Sequence, residues 1–245
     1  MQRQLVTAVA CCALLASAAS ASIWDTLKQA VGGLGGQSGA PGPTGLTSEE
    51  VAAGLREALR VGAERAVGLA SRPGGFLDDP SIRIPLPDRL QTVGRMLRSL
   101  GMGSEVDAFE ETLNRAAERA AGKALPIFGD AVSALTFEDV HRIWRGEDDA
   151  ATQHLDRTTR PRLAAEFEPV VRAAAQEVGV TQAYQGLTRR PEVSALVAGT
   201  DLDLDHYVTG RALDGVFALL AAEERRIRTE PAARTTELLR KIFQR

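Results

Sequence analysis

The chain is poor in the residues on which the commonest protein chemistries depend. Aromatic side chains make up 4% of its 245 residues, histidines number 3, and the 2 cysteines stand side by side at Cys11 and Cys12. No run of β-branched residues suggests a sheet. Basic residues do not exceed acidic ones: 29 Lys and Arg face 32 Asp and Glu for a net charge of −3. The electrostatic basis for binding nucleic acid is therefore missing. There is no His-Glu-x-x-His zinc helix and no Gly-x-Ser-x-Gly nucleophile turn, and the glycine-rich stretch lacks the Gly-Lys-Ser/Thr ending of a phosphate loop. What the chain does have is alanine, roughly one residue in six, within a composition that is 44% hydrophobic and 25% charged. Such a chain can bury a core and favours helices over sheets. The expected fold is all-α, a single compact multi-helix domain with one short extended segment at about 81–87.

Residues 1–21 carry a basic start at Arg3, an apolar run from Leu5 to Ala16 and the small residues Ala19-Ser20-Ala21. That pattern predicts a secretory signal peptide cleaved between Ala21 and Ser22. The run is too short for a membrane-spanning helix, which needs about 20 apolar residues. Ala8-Val9-Ala10-Cys11 loosely resembles a lipoprotein signal, but its apolar stretch from Leu5 is short, so a cleaved leader and a periplasmic location are the expectation. Cleavage there removes both cysteines, and with them disulfides, thiolate nucleophiles and Cys-ligated zinc. Residues 22–46 read as a short amphipathic helix followed by a tether, since 7 glycines fall between 32 and 45. The folded helical domain is expected over 47–245.

Thr47 and Glu50 have capping-box spacing, and Val51, Leu55, Leu59, Gly62, Ala66 and Leu69 recur at helical intervals behind them. Ala58, Gly62 and Ala66 put a small residue at each fourth position, which lets another helix approach closely. Gly74-Gly75 ends this unit. Ile82, Ile84 and Leu86 alternate with polar residues or prolines, and Pro85 and Pro87 forbid a helix there. A helix from about Asp88 to Leu100 should turn Leu90, Val93, Leu97 and Leu100 inward and stop at Gly101. The next opens on Ser104 and Asp107 and ends before Pro126. Thr136 with Asp139 caps a short helix, Asp148 opens another through Leu155, and Leu163, Phe167, Val170, Val171, Ala174 and Val178 mark one bent near Pro169. A weaker region from Thr181 to Asp203 precedes a long helix from about Asp205 to Arg228 and a last one from about Pro231 to Phe243.

Glu224 lies in the middle of the apolar stripe made by Leu213, Val216, Phe217, Leu220 and Ile227. A carboxylate buried there needs a partner, and Arg228 is one turn away. The pair is either a structural bridge between helices or a ligand site with an acid of raised pKa. Tyr207, Asp214 and Glu223 sit off the stripe's centre and should meet solvent or a second helix. Asn114 and Glu118, with Glu110 one turn earlier, form a polar flank that either meets polar partners on a neighbouring helix or lines a cleft. Glu138 and His141 have the Glu-x-x-His spacing of di-iron bundles once, echoed weakly by Asp203 and His206. Chance supplies such pairs in an acidic helical protein, so no metal and no cofactor is expected. The segment 225–245 holds 7 Arg or Lys beside an apolar face of Leu238, Leu239, Ile242 and Phe243. It should pack that face on the body, the alternative being an anionic membrane or a partner.

Several strings together resemble a family of bacterial envelope proteins grouped as domain of unknown function 4197. They are Ile82-Arg83-Ile84-Pro85-Leu86-Pro87, Asn114-Arg115-Ala116-Ala117-Glu118, Ala150-Ala151-Thr152, Tyr207-Val208-Thr209 and Leu213-Asp214-Gly215-Val216-Phe217, followed by Glu223-Glu224, Ile227-Arg228, Pro231, Arg234-Thr235-Thr236 and Leu238-Leu239. The resemblance runs from about residue 47 to the end. It implies an exported, mostly helical single domain of Gram-negative bacteria and brings no reaction with it. Two functional readings follow, with a purely structural or assembly protein, marked by exposed apolar patches, as a third possibility. The first is a non-catalytic periplasmic domain that binds an apolar or amphipathic, lipid-like ligand or an envelope protein. The second is a carboxylate-dependent, hydrolase-like enzyme with Glu118 or Glu224 as acid or base and Arg228 or Arg234 holding an anionic substrate.

Overall fold

The computed structural model describes residues 47–178, 185, 186, 189, 194 and 203–243. The expected leader and tether, nearly all of the weak region 181–202, and the side chains of Val178, Leu238 and Lys241 lie outside the described residues. Everything described is helix, turn or extended loop. In chain order the helices are α1 (Ser48–Ser71), α2 (Asp88–Ser99), α3 (Gly103–Ala121), α4 (Ala124–Ser133), α5 (Phe137–Arg145), α6 (Ala150–Val178), α7 (Leu204–Thr229) and α8 (Glu237–Ile242), with a 3-10 turn at Pro231–Ala233. Among the described residues no helix is long and apolar enough to cross a membrane.

Helix α1 lies at the centre, and its burial shows why its sequence is so rich in small residues. Val51, Leu55 and Leu59 are buried, but so are Ala52, Ala58, Ala63, Ala66 and Ala70, so contact is made on more than one face. α7 packs along it, α3, α4 and α5 cover other sides, and α8 closes one end. The small residues Ala58, Gly62 and Ala66 lie under this packing, with Leu220 and Ile227 of α7 in van der Waals range of Gly62. α3 and α6 complete the core through Phe109, Leu113, Leu155, Leu163 and Phe167, all of them fully buried.

The segment 83–87 is extended, as its prolines require, and Ile82, Ile84 and Leu86 all turn inward. It reaches the body at Gly215 of α7. A Cβ built on Gly215 would come within 2.5 Å of the Phe76 ring and 3.2 Å of Ile82 Cβ, so only hydrogen leaves room for the segment to cross the helix there.

Several local expectations change. Leu100 stands outward, 57% exposed, because α2 ends one residue earlier in a Schellman turn. Gly101 takes φ +80, with Met102 N–H donating to Leu97 O at 2.9 Å and Gly101 N–H to Arg98 O at 3.1 Å. Ser104 and Asp107 do not cap α3, which begins at Gly103 without a side-chain cap. Asp107 instead accepts from Arg98 Nη2 at 2.6 Å, tying α2 to α3. The pieces expected as separate helices at 148–155 and 163–178 are one helix, α6, which carries both Pro161 and Pro169 inside it. Each proline removes one backbone hydrogen bond, and the buried face built by Leu155, Leu163, Phe167 and Val171 holds the helix together across them. Thr136 and Asp139 do form the expected capping box on α5.

Two outcomes are expected from this packing. Gly215→Ala should lower stability by about 1–3 kcal/mol through overpacking, read by urea unfolding; unchanged stability would mean that the crossing is looser than its geometry. The second concerns α5 and α6. The Thr136 hydroxyl and amide hold the Asp139 carboxyl below its ordinary range. Burial pushes the imidazole of His154 below 6.5, against the pull of Asp139 and with Arg157 and Arg142 adding to the downward shift. Both groups bind protons more readily in the unfolded chain, so both favour the fold above their unfolded pKa values and lose that contribution as pH falls. Stability should drop on acidification below pH 6.5, and His154→Gln should flatten the first part of that decline in chemical denaturation.

Candidate functional site

Four of the buried polar residues, Thr152 and Glu224 at one place and Asn114 and Glu118 at the other, lie where a side chain grips the backbone of another element. At the first, α7 passes the N-terminus of α6. The initial N–H groups of any helix lack partners within it, and Asp148, the expected local opener, does not supply them. They are met from α7, 72 and 73 residues away in sequence: Glu224 Oε1 accepts from Ala151 N–H at 3.0 Å, and Oε2 accepts from Thr152 N–H and its hydroxyl, both at 2.8 Å. A carboxylate is well placed there, since the helix dipole presents positive charge at this end. Arg228 donates Nε at 3.0 Å and Nη2 at 2.8 Å to Oε1, and Nη2 reaches on to Ile143 O at 2.9 Å near the end of α5. Both side chains are nearly closed to solvent, at 9% for Arg228 and 7% for Glu224. Arg234 then donates Nε to Ile227 O at 3.1 Å and Nη2 to Arg228 O at 2.9 Å, satisfying carbonyls at the C-terminal turn of α7.

The second place is the polar flank of α3. Its main partner is the loop that follows α1, with Arg98 of the neighbouring helix α2 as a further one. Asn114, fully buried, accepts from Ile84 N–H at 2.8 Å and donates to Ile84 O at 2.9 Å and to Glu110 O at 2.7 Å. Its amide thus pairs with Ile84 much as a strand neighbour would. One turn on, Glu118 Oε1 accepts from Phe76 N–H at 3.2 Å and Leu77 N–H at 3.5 Å. One turn back, Glu110 pairs with Arg83 at 3.2 Å and Arg98 at 3.5 Å. The three polar residues at four-residue spacing are therefore three successive holds on residues 76–84. From α7, the Tyr207 hydroxyl donates to Pro85 O at 2.9 Å. Burial raises the phenol's pKa, which keeps that donor in place.

The remaining expected residues are also engaged. Asp214 accepts from Arg160 Nη1 at 2.9 Å, and Arg160 lies 5.1 Å over the Phe217 ring. Glu223, buried, faces Arg65 at 3.4 Å and Arg226 at 3.3 Å. Glu138 pairs with Arg142. In the C-terminal segment Leu239, Ile242 and Phe243 are buried, with Ile242 against Gly54 of α1. The seven expected sites thus fall into two clusters: Glu224, Arg228 and Arg234 at the start of α6, and Asn114, Glu118 and Tyr207 along the loop, with Asp214 apart from both.

The apolar space between α1, α6, α7 and α8, bordered by Leu55, Leu59, Ala151, Leu220 and Phe243, measures about 10 Å³, room for one water at most. A much larger opening, about 540 Å³, lies between the turn after α1 and the outer side of α3, with Leu77, Asp78, Glu111, Arg115, Glu118 and Arg119 around it. Of these only Glu118 stands out in the sequence as a candidate site residue. Glu111 and Arg115 lie one turn apart on α3, and Asp78 lies in the turn after α1. Only the fold shows that they share a concave wall.

The chain belongs to the family described as protein of unknown function (DUF4197), whose model matches residues 45–244. No curated protein and no solved structure matches it.

The geometry at Glu224 generates a direct test. Glu224→Ala leaves Arg228 buried without its carboxylate and two α6 amides without an acceptor, and should cost about 3–5 kcal/mol, read as a fall in the urea midpoint. A loss below about 1 kcal/mol would mean that the carboxylate is not a structural hold.

Proposed function

We propose that this is an exported, non-catalytic periplasmic domain that binds a ligand or an envelope partner on its surface, in the groove beside Glu118. The observation that carries this reading is the contrast between two of the buried glutamates, Glu224 and Glu118. Glu224 accepts five hydrogen bonds, all from groups of the fold itself. Glu118 uses one oxygen on the loop amides and borders an opening of about 540 Å³, within the usual range of roughly 300–1,000 Å³ for ligand sites.

An apolar or amphipathic ligand belongs in this groove rather than in the core, where the space is about 10 Å³. Leu77 and Pro73 offer it apolar contact, and charged side chains surround the rim. The enzyme reading is the weaker one. It asks Arg228 and Arg234 to hold a substrate, and both guanidinium groups are spent on Glu224 and on backbone carbonyls. The leader at residues 1–21 supports export.

Native mass spectrometry of the protein from its own envelope fraction tests this. The expected chain begins at Ser22 and carries an added mass of several hundred daltons that a groove-filling Ser71→Trp variant loses. A chain that keeps Cys11 with a lipid attached would contradict the soluble periplasmic form. A bare mass, together with no cross-link from a groove residue to any envelope protein, would contradict binding.

A further inference from the structure

The groove has an imbalance among its charges. Its two guanidinium groups are each held by an acid: Arg115 by Glu111, and Arg119 by Glu177. Its other two carboxylates have no cation among the described residues. Glu118 is only 7% exposed. Its Oε1 takes both loop amides, and Oε2 has no hydrogen-bond partner among the described residues. Asp78 stands across the turn, with its carboxylate lying over Gly74. A nearly buried carboxylate without a counter-charge is costly, and that cost falls when a cation arrives.

We propose that the groove binds a cationic group, an ammonium or guanidinium, seated on Glu118 Oε2 with Asp78 as the second anionic wall. This rests on the groove being the binding face, and it names what the face selects. Two carboxylates are too few for a hard divalent ion, which wants roughly six oxygen ligands. They suit an ammonium, which has three donors and gives charge-assisted hydrogen bonds to carboxylate oxygens. The alkyl stem of a lysine-like ligand finds its apolar contact on Leu77 and Pro73. The same cation could arrive on a free diamine or on the basic side chain of a peptide, and both belong to this chemistry.

The test uses the whole exported protein and amide chemical shifts of Phe76 and Leu77, whose N–H groups report directly on the Glu118 carboxylate. The probes are putrescine, a blocked Gly-Lys-Gly peptide, and the same peptide with norleucine or glutamate in place of lysine. Saturable shifts with putrescine or the lysine peptide, and none with norleucine or glutamate, are expected. A stronger response to the peptide assigns the cation to a protein partner, and a response to both alike assigns it to a small amine. Glu118→Gln keeps an oxygen for the two loop amides and should weaken binding about tenfold or more. Asp78→Asn, at an exposed position whose side chain makes no hydrogen bond among the described residues, should weaken it by a smaller factor and serves if the first variant does not fold. No shift with either cationic probe, an equal shift with norleucine, or undiminished binding in the folded variants would overturn the proposal. A neutral or anionic ligand recovered from the groove by mass spectrometry would overturn it too, while leaving the groove as a binding site.

Discussion

A single buried carboxylate holds the largest part of this fold in register. Glu224 sits on the inner face of α7, where its sequence neighbours are apolar, and its oxygens reach the first amides of α6 and the guanidinium of Arg228. Arg228 continues to the last turn of α5, and its own carbonyl is taken by Arg234 from the chain beyond α7. Four pieces of chain therefore meet on one charge pair. A buried ion pair is weak evidence for stability when compared with apolar packing. What it supplies is register, because the first amides of α6 and the carboxylate of α7 are satisfied together in this arrangement.

The same device recurs on α3, where Glu110, Asn114 and Glu118 hold a loop that cannot form a helix or a sheet of its own. Pro85 and Pro87 deny it a helix, and its buried backbone still needs partners. Asn114 supplies both a donor and an acceptor to Ile84, and Gly215 makes room for Phe76 and Ile82. Most of the strings on which the resemblance was read fall on these two places. Ala150-Ala151-Thr152, Glu223-Glu224, Ile227-Arg228 and Arg234 meet at the start of α6; Ile82 to Pro87, Asn114 to Glu118, Tyr207 and Gly215 meet at the loop. Much of that pattern is thus accounted for by how this chain folds. Arg115 and Glu118 of one string also line the groove.

The helices, and the inward face of most of them, were legible because apolar spacing is local: α1, α2 and α7 appear in the sequence close to their observed bounds. The Glu224 and Arg228 pair was legible too, since both residues lie on one helix one turn apart. The acceptor role of Glu224 at α6 was not, because nothing near Ala150 in sequence points to a residue more than seventy positions away. The continuity of α6 between Leu155 and Leu163 was not legible, because it is tertiary packing of Leu155, Leu163 and Phe167 that carries the helix through Pro161. The groove was invisible for a related reason. Asp78 and Arg119 are ordinary surface residues until the turn after α1 folds over the outer side of α3.

Native-state hydrogen exchange of the Thr152 and Ile84 amides tests the account most directly. These two N–H groups are closed by side chains from distant elements and not by their own secondary structure. If the two holds organise the fold, both amides should exchange only through global unfolding, as slowly as the buried centre of α1. Exchange of either amide through a low-energy local opening, with α1 and α3 still protected, would show that the helices pack without them and contradict the account.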